Sequence, residues 1–256
     1  MPRLLVIVLL VGLVSGLLVG GFNNLFTVPV IERAMDLEEE RAVQNAGGVI
    51  AEEDGIEVSR GVQRAGMVVG WGIFGSILGL VFAGGFTLLR RVVPGWQPLA
   101  LTLVVGCLGF WAISLFPFIR YPLNPPGVGE ETTVAARQGY QILFMLLSAA
   151  GVAGLLLALD RVSSLAFLAP QRLWGYGSVL LAYALFAAIM VFALPANSDP
   201  VDIPIDLLEL FRTLTMAGHF LFWMLLAAGV GFVTMWYQRR AQPDLGTRES
   251  VEGYSA

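Results

Sequence analysis

Apolar residues in this chain are gathered into six long runs that carry no formal charge. Each run holds about 20 or more mainly apolar residues, the length that an α-helix needs to cross the hydrocarbon core of a bilayer. The pattern therefore predicts an all-α fold, a polytopic membrane helical bundle with six transmembrane helices in three hairpins. The predicted spans, within one transmembrane domain over residues 1–240, are 4–30, 65–89, 98–117, 138–159, 174–194 and 213–238.

Polar segments separate these runs and predict where the helices end. The longest is an acidic outer loop over residues 32–64, for which the sequence does not decide whether it contains a short helix. Each helix that leads toward an outer loop is expected to end near a proline, at Pro29, Pro117 or Pro195. Residues 241–256 are expected to form a flexible cytoplasmic tail.

The composition excludes several classes of protein. With 57% hydrophobic residues and a mean hydropathy of +0.76, the six runs are too many for a soluble chain of this length. The single cysteine, Cys107, allows neither a disulfide framework nor a paired-cysteine metal site, and it is expected to be a buried apolar filler. Phosphate-binding loops, zinc-protease, serine-hydrolase and haem motifs are absent from the sequence, so we expect no enzyme, no cofactor and no nucleic-acid partner.

Arginine positions predict the orientation of the bundle, because all 15 basic residues are arginine. The side that carries both termini holds eight arginines and four carboxylates, a net charge of +4. The opposite side holds seven arginines and fifteen carboxylates, a net charge of −8. The pairs Arg90-Arg91 and Arg239-Arg240 lie directly at predicted helix ends, where arginines favour the cytoplasmic side. The sequence thus predicts a multi-pass cell-membrane protein with both termini in the cytoplasm and acidic loops outside.

Glycines recur at helical spacing in the first two runs, where they would let helix backbones approach closely. We therefore expect these two helices to be central to the bundle. The stripes consist of Gly12, Gly16 and Gly20, and of Gly66, Gly70, Gly75 and Gly79.

Polar side chains within the apolar runs lie mostly toward the outer ends of the helices. Because hydrocarbon penalises a polar group that is neither paired nor hydrated, they indicate a polar vestibule facing the acidic loops. The alternative is that they pair with one another and only hold the helices together. The vestibule candidates are Asn23, Asn24, Arg64, Arg137, Gln138, Gln141 and Arg212.

Three side chains are candidate metal ligands. His219 is the only histidine, and Met216 lies three residues earlier on the same helix face, so the two offer nitrogen and sulfur to a transition metal. Glu32 opens the acidic loop and offers a carboxylate. The alternatives are a hydrogen-bonded structural histidine and a solvated acidic loop.

Several short motifs resemble those of the CbtA family over nearly the whole chain. The glycine-rich first helix carries the first of them. The motifs are Phe26-Thr-Val-Pro29-Val-Ile-Glu32, Pro125-Pro126 leading to Ala136-Arg137-Gln138, Leu194-Pro195, Ile203-Pro204, Leu207-Leu208 and Phe211-Arg212.

The resemblance implies a function and a partner. CbtA proteins are proposed cobalt transporter subunits, commonly paired with CbtB, a small single-span subunit that carries histidines. The expected function is membrane uptake of a divalent transition metal, with Co²⁺ as substrate and the acidic loops attracting it to the vestibule. The alternative is a non-transporting scaffold that stabilises a partner in the lipid bilayer. A homo-oligomer is compatible with either function.

Overall fold

The structure is a computed structural model, and it describes residues 2–45, 59–126, 131–166, 168–195 and 203–241. Helices account for nearly all of these residues, and the described ranges contain no strand. Six helical segments are long and apolar enough to cross a membrane, which confirms the predicted all-α bundle. The α-helices are α1 (Pro2–Phe22), α2 (Val28–Asn45), α3 (Arg60–Val92), α4 (Pro98–Gly109), α5 (Phe116–Arg120), α6 (Val134–Ser164), α7 (Ala169–Ala193) and α8 (Ile205–Ala241).

Two prolines expected near helix ends, Pro29 and Pro117, lie inside continuous helical segments. A π-helical turn, Asn23–Thr27, joins α1 to α2 just before Pro29, and a second, Phe110–Leu115, joins α4 to α5 just before Pro117. Proline lacks an N–H group and its ring clashes with the carbonyl four residues earlier. In both cases that carbonyl belongs to the wider π turn, which lets the helix continue. The predicted helix end is wrong for Pro29, because α2 continues to Asn45. It is correct for Pro117, where α5 ends three residues later at Arg120, and for Pro195, since α7 ends at Ala193.

The acidic segment predicted as a loop over residues 32–64 is helical over its described first part. Helix α2 continues to Asn45, and α3 begins at Arg60. At 1.5 Å per residue, α1, the first π turn and α2 together extend about 65 Å, roughly twice the hydrocarbon thickness. Helix α2 therefore projects beyond the membrane and carries acidic side chains, whereas residues 46–58 and the predicted tail from residue 242 onward lie outside the described residues.

Helices α1 and α3, which the glycine stripes predicted to be central to the bundle, pack closely against each other. A Cβ atom added to Gly12 or Gly16 would overlap a backbone carbonyl of α3, and one added to Gly79 would overlap the carbonyl of Val8. The α3 stripe is shifted from the predicted one, because Cβ atoms at Gly66 and Gly70 would meet nothing within 4 Å. Glycines 72, 75 and 79 face α1 instead, since these positions share the helix face that packs against α1.

Helices α1, α3, α4 and α8 form the central part of the bundle. Its core is apolar and almost fully buried, with Val8, Phe82, Phe222 and Leu226 among its members. Helix α6 packs on α3, and α7 packs on α6 rather than forming a close hairpin with α8. Consecutive helices are therefore not always packing partners, and the three predicted hairpins describe chain order better than they describe contacts.

Three hydrogen bonds among the described residues attach α7 and the two residues after it to the rest of the bundle. Trp111 Nε1 donates a hydrogen bond to the Tyr183 hydroxyl at 2.8 Å. The Tyr121 hydroxyl donates to the Pro195 carbonyl at 2.8 Å, and Arg120 donates to the Leu194 carbonyl. These contacts fix the end of α7 beside α5.

The bundle has two ends, which differ in character. We call the end at which α1 begins and α8 ends the terminal face, and the opposite end, toward which α2 projects, the loop face. Cys107 lies on α4 with its side chain exposed on the outside of the bundle. The expected buried filler is therefore wrong, and this thiol belongs to the surface that lipid would cover.

Candidate functional site

Ser114 is the centre of a buried polar cluster in the half of the bundle nearer the loop face. It lies in the second π turn and is 4% exposed. The Trp223 indole Nε1 donates a hydrogen bond to Ser114 Oγ at 3.2 Å, and Ser114 Oγ lies 2.9 Å from His219 Nδ1. Because an indole N–H only donates, the hydroxyl oxygen must accept from Trp223 while it also bonds to His219.

The imidazole of His219 is held in one orientation by two contacts. Ser114 occupies Nδ1, and the Trp71 ring meets the imidazole edge to face at a centroid distance of 5.3 Å. When Nδ1 carries the proton and donates to Ser114, Nε2 presents its lone pair, which is the form of histidine that binds metals. The cluster therefore has the arrangement by which proteins orient a histidine ligand.

Asn23 and Thr27 form a second buried pair, contributed by the first π turn. The Thr27 hydroxyl donates to Asn23 Oδ1 at 2.9 Å, and both side chains are buried. A Cβ atom added to Gly218 would lie 3.0 Å from Asn23 Oδ1, so the amide reaches α8 next to His219. We call Asn23, Thr27, Ser114 and His219 the polar layer, and three of its four members come from the two π turns.

Apolar side chains enclose the polar layer on both sides. Toward the loop face, α2 and the start of α8 meet in an apolar group that we call the loop-face cluster: Val30, Ala34, Ile203, Leu207, Leu208 and Phe211. Toward the terminal face, α8 continues with Phe222, Leu226 and Val230, all buried in the main core. Within the described residues, the structure thus presents an enclosed polar layer rather than a continuous polar path.

Two of the arginines predicted to line the vestibule, Arg64 and Arg212, form hydrogen bonds with named partners. The Arg64 guanidinium contacts both carboxylate oxygens of Glu32 at 2.7 Å. Arg212 donates to the Leu123 carbonyl at 3.0 Å and to Asn124 Oδ1 at 2.9 Å. These contacts fasten α3 to α2 and α8 to the segment that follows α5.

The predicted vestibule residues divide into two groups. Asn23, Arg64 and Arg212 lie on the central helices, and Asn24 is half-buried beside Asn23. The other three belong to α6, which packs outside the central helices against α3 and α7. That second group consists of Arg137, Gln138 and Gln141, of which Gln138 is exposed.

The metal-ligand candidates are also only partly brought together. Met216 is half-buried, one turn before His219 on α8. Glu32 is five residues beyond Thr27 and nine residues beyond Asn23 on one continuous helical segment, so about 8 to 14 Å of helix rise separates it from these members of the polar layer. Within the described residues, no three histidine, cysteine or acidic side chains converge as a metal site.

The sequence alone missed Ser114, Thr27 and Trp223. Each is a residue type common in apolar helices, so composition does not single it out. The available signal was position: Thr27 and Ser114 lie two and three residues before the prolines that accompany the π turns. A hydroxyl residue just before an intramembrane proline is thus a useful marker, because π turns are frequent at functional sites.

Comparisons with known proteins give one match. The family described as "Probable cobalt transporter subunit (CbtA)" matches residues 1–235. No curated protein and no solved structure matches the chain. Among the described residues, the match reaches all six helical segments that can span a membrane and ends within α8, and it includes the polar layer and the loop-face cluster. This chain therefore belongs to the CbtA family of probable cobalt transporter subunits.

Proposed function

We propose that this chain is the membrane subunit of an uptake system for a divalent transition metal, with Co²⁺ as its substrate. The observation that carries the proposal is the histidine of the polar layer, enclosed among the central helices with Nδ1 bonded to Ser114. A histidine within the membrane is energetically costly unless it is paired or used. Here the half-buried His219 makes a hydrogen bond through Nδ1, and no hydrogen bond to Nε2 is found among the described residues.

Acidic side chains at the loop face support the first step, which is capture of the cation. Helix α2 extends beyond the membrane and presents Asp36, Glu39 and Glu40 around one shallow cavity. With both termini in the cytoplasm, this face lies outside and raises the local concentration of divalent cations. Long-range attraction of this kind depends on charge, so it does not distinguish Co²⁺ from Mg²⁺.

Selection among metals is assigned to the polar layer. Imidazole nitrogen and thioether sulfur favour transition metals, whereas Mg²⁺ and Ca²⁺ prefer oxygen ligands. His219 and Met216 offer one such donor each, which is too few to complete a coordination sphere. We propose that a small, single-span, histidine-bearing CbtB-like subunit supplies further donors.

Movement of the metal requires the loop-face cluster to open. Its apolar members, Leu207 and Phe211 among them, stand between the acidic α2 and the polar layer. The chain contains no nucleotide-binding motif, and the membrane potential acting on a dication supplies about 4.6 kcal/mol per 100 mV. That energy is comparable to the differences between conformations that transporters exploit.

The test is accumulation of radiolabelled Co²⁺ at low external metal, in cells with the chain, with the partner, and with both. We expect weak uptake by the chain alone and strong uptake with the partner. Met216→Leu should lower uptake, whereas the matched change Met224→Leu, in a methionine of the same helix that packs on the apolar core, should not. Uptake equal to that of cells lacking the chain, together with a loss of partner protein when the chain is deleted, would favour the scaffold function instead.

A further inference from the structure

A cavity of about 580 Å³ at the terminal face is lined by arginines from three helices. Arg3 on α1, Arg90 on α3 and Arg240 on α8 converge there. The described lining residues include no carboxylate, and no ion pair involves these arginines within the described ranges. Three cations that share one cavity and have no carboxylate partner among the described residues indicate a binding site for an anion.

Two side chains of this cavity, Thr234 and Arg240, support ligand binding. Thr234 lines the cavity, and its hydroxyl is buried and without a hydrogen-bond partner. Hydroxyls of comparable helical position, on Thr87 and Thr215, each donate to a carbonyl one turn earlier at 2.8 Å. The Arg240 guanidinium stacks over the Trp236 ring at 3.9 Å, which orders the cation at the cavity edge.

We propose that this cavity binds the phosphate group of an anionic phospholipid from the leaflet at the terminal face. Arginine forks match phosphate oxygens in paired hydrogen bonds, and the Thr234 hydroxyl adds one neutral donor. Free phosphate shares this chemistry, but the rest of the cavity suits a lipid. Leu4, Ile7 and Phe86 form an apolar wall for acyl chains, and the aromatic side chains Trp236 and Tyr237 are typical of the headgroup level.

This inference is independent of metal transport. The cavity lies at the opposite end of the bundle from the polar layer, and it shares no residue with it. A failure of the cobalt assay would leave the lipid site untouched, and a failure of the lipid experiment would leave the cobalt proposal untouched.

The experiment measures retention of phosphatidylglycerol by the purified, delipidated full chain, using native mass spectrometry in detergent. The double variant Arg90→Gln/Arg240→Gln removes two arginines that line the cavity. Its matched control, Arg91→Gln/Arg239→Gln, changes the neighbouring residue on each helix and alters the net charge equally, yet neither residue lines the cavity. We expect the first variant to bind at least about tenfold more weakly than the wild-type chain, because it loses charge-assisted hydrogen bonds. The control should change little, and equal losses in the two variants would overturn the site.

Two further measurements keep the proposal testable if the double variant fails to fold. Thr234→Val keeps shape and charge while removing the hydroxyl, so retention of phosphatidylglycerol should fall several-fold with folding intact. Unchanged retention would contradict a built site. Phosphatidylcholine and inorganic phosphate identify the source: preferential retention of phosphatidylglycerol supports a lipid. Stabilisation of the wild-type chain by inorganic phosphate, without lipid retention, would instead assign the cavity to free phosphate and overturn the lipid.

Discussion

At the scale of single residues, one hydroxyl organises the candidate site. Ser114 Oγ accepts a hydrogen bond from the Trp223 indole N–H and forms a second hydrogen bond with His219. Loss of this hydroxyl would leave the indole N–H and the imidazole without this partner. Sequence reasoning found the histidine because it is unique in the chain. It could not find the serine, because nothing in an apolar run marks which hydroxyl faces a histidine from another helix.

Ser114→Ala should lower stability by about 1 to 3 kcal/mol, the range measured when buried groups lose their hydrogen-bond partner. Ser148→Ala is the matched control, because Ser148 is also buried but its hydroxyl has no partner. That change should be nearly neutral. Equilibrium unfolding in mixed detergent micelles measures both, and similar losses in the two variants would contradict the role assigned to Ser114.

His219→Leu replaces the ring with an apolar side chain of similar reach, so folding should survive while Co²⁺ uptake falls. Expression level and thermal unfolding report on folding, and radiolabelled uptake reports on function. A variant that expresses normally and takes up Co²⁺ like the wild-type chain would show that His219 is not a ligand.

The two ion pairs at the loop face should differ in strength. Arg64 and Glu32 are partly buried and meet at 2.7 Å, whereas Arg60 and Asp36 are more than half exposed and 3.8 Å apart. Alanine double-mutant cycles should give a coupling energy of about 1 kcal/mol for the first pair and near zero for the second. Equal coupling energies, measured by unfolding, would show that the Glu32 contact contributes little and leave that carboxylate available to cations.

At the scale of elements, glycine positions decide how closely α1 and α3 approach. The carbonyls that a new Cβ would meet at Gly12, Gly16 and Gly79 belong to backbone, which cannot move aside as a flexible side chain can. Periodicity showed that a glycine face exists on each helix. Only the packed pair shows that the contact face of α3 is the one with Gly72 and not the one with Gly70.

Gly16→Ala should therefore separate α1 from α3 and lower stability by about 1 to 3 kcal/mol, the typical loss on overpacking. Gly70→Ala, whose Cβ meets nothing within 4 Å, should be neutral or stabilising by up to about 1 kcal/mol, since alanine favours helix. Thermal unfolding in detergent compares them. A Gly70→Ala variant that is the less stable of the two would contradict the packing.

At the scale of the whole molecule, the helices are packed asymmetrically around the polar layer. Four central helices hold the polar layer, α6 packs outside them, and α7 is joined mainly to α6 and the end of α5. Charge is also distributed asymmetrically along the bundle axis, with the acidic α2 at the loop face and the arginine cavity at the terminal face. These asymmetries predict one orientation in the membrane.

Single cysteines at Ser59, Ser163 and Ser198, in a Cys107→Ala background, should report that orientation. Ser59 precedes α3 at the loop face, Ser163 lies near the end of α6 at the terminal face, and Ser198 lies outside the described residues. An impermeant thiol reagent should label the first and third in intact cells and the second only after permeabilisation. Labelling of Ser163→Cys but not Ser198→Cys in intact cells would reverse the orientation.

The sequence by itself determined the six spans, the all-α class, the glycine stripes on the first two helices and the single histidine. These features follow from composition and from the period of one helix, both of which are local. Tertiary structure decided that the helix continues past Pro29 and Pro117, because a π turn accommodates the proline clash.

It also decided that Ser114 faces His219, that Glu32 pairs with Arg64 outside the polar layer, and that three arginines share one cavity. Each of these depends on how one helix is rotated and placed against another. A single helix carries no information about which of its faces will meet which neighbour, so side chains far apart in sequence become partners only when the bundle packs.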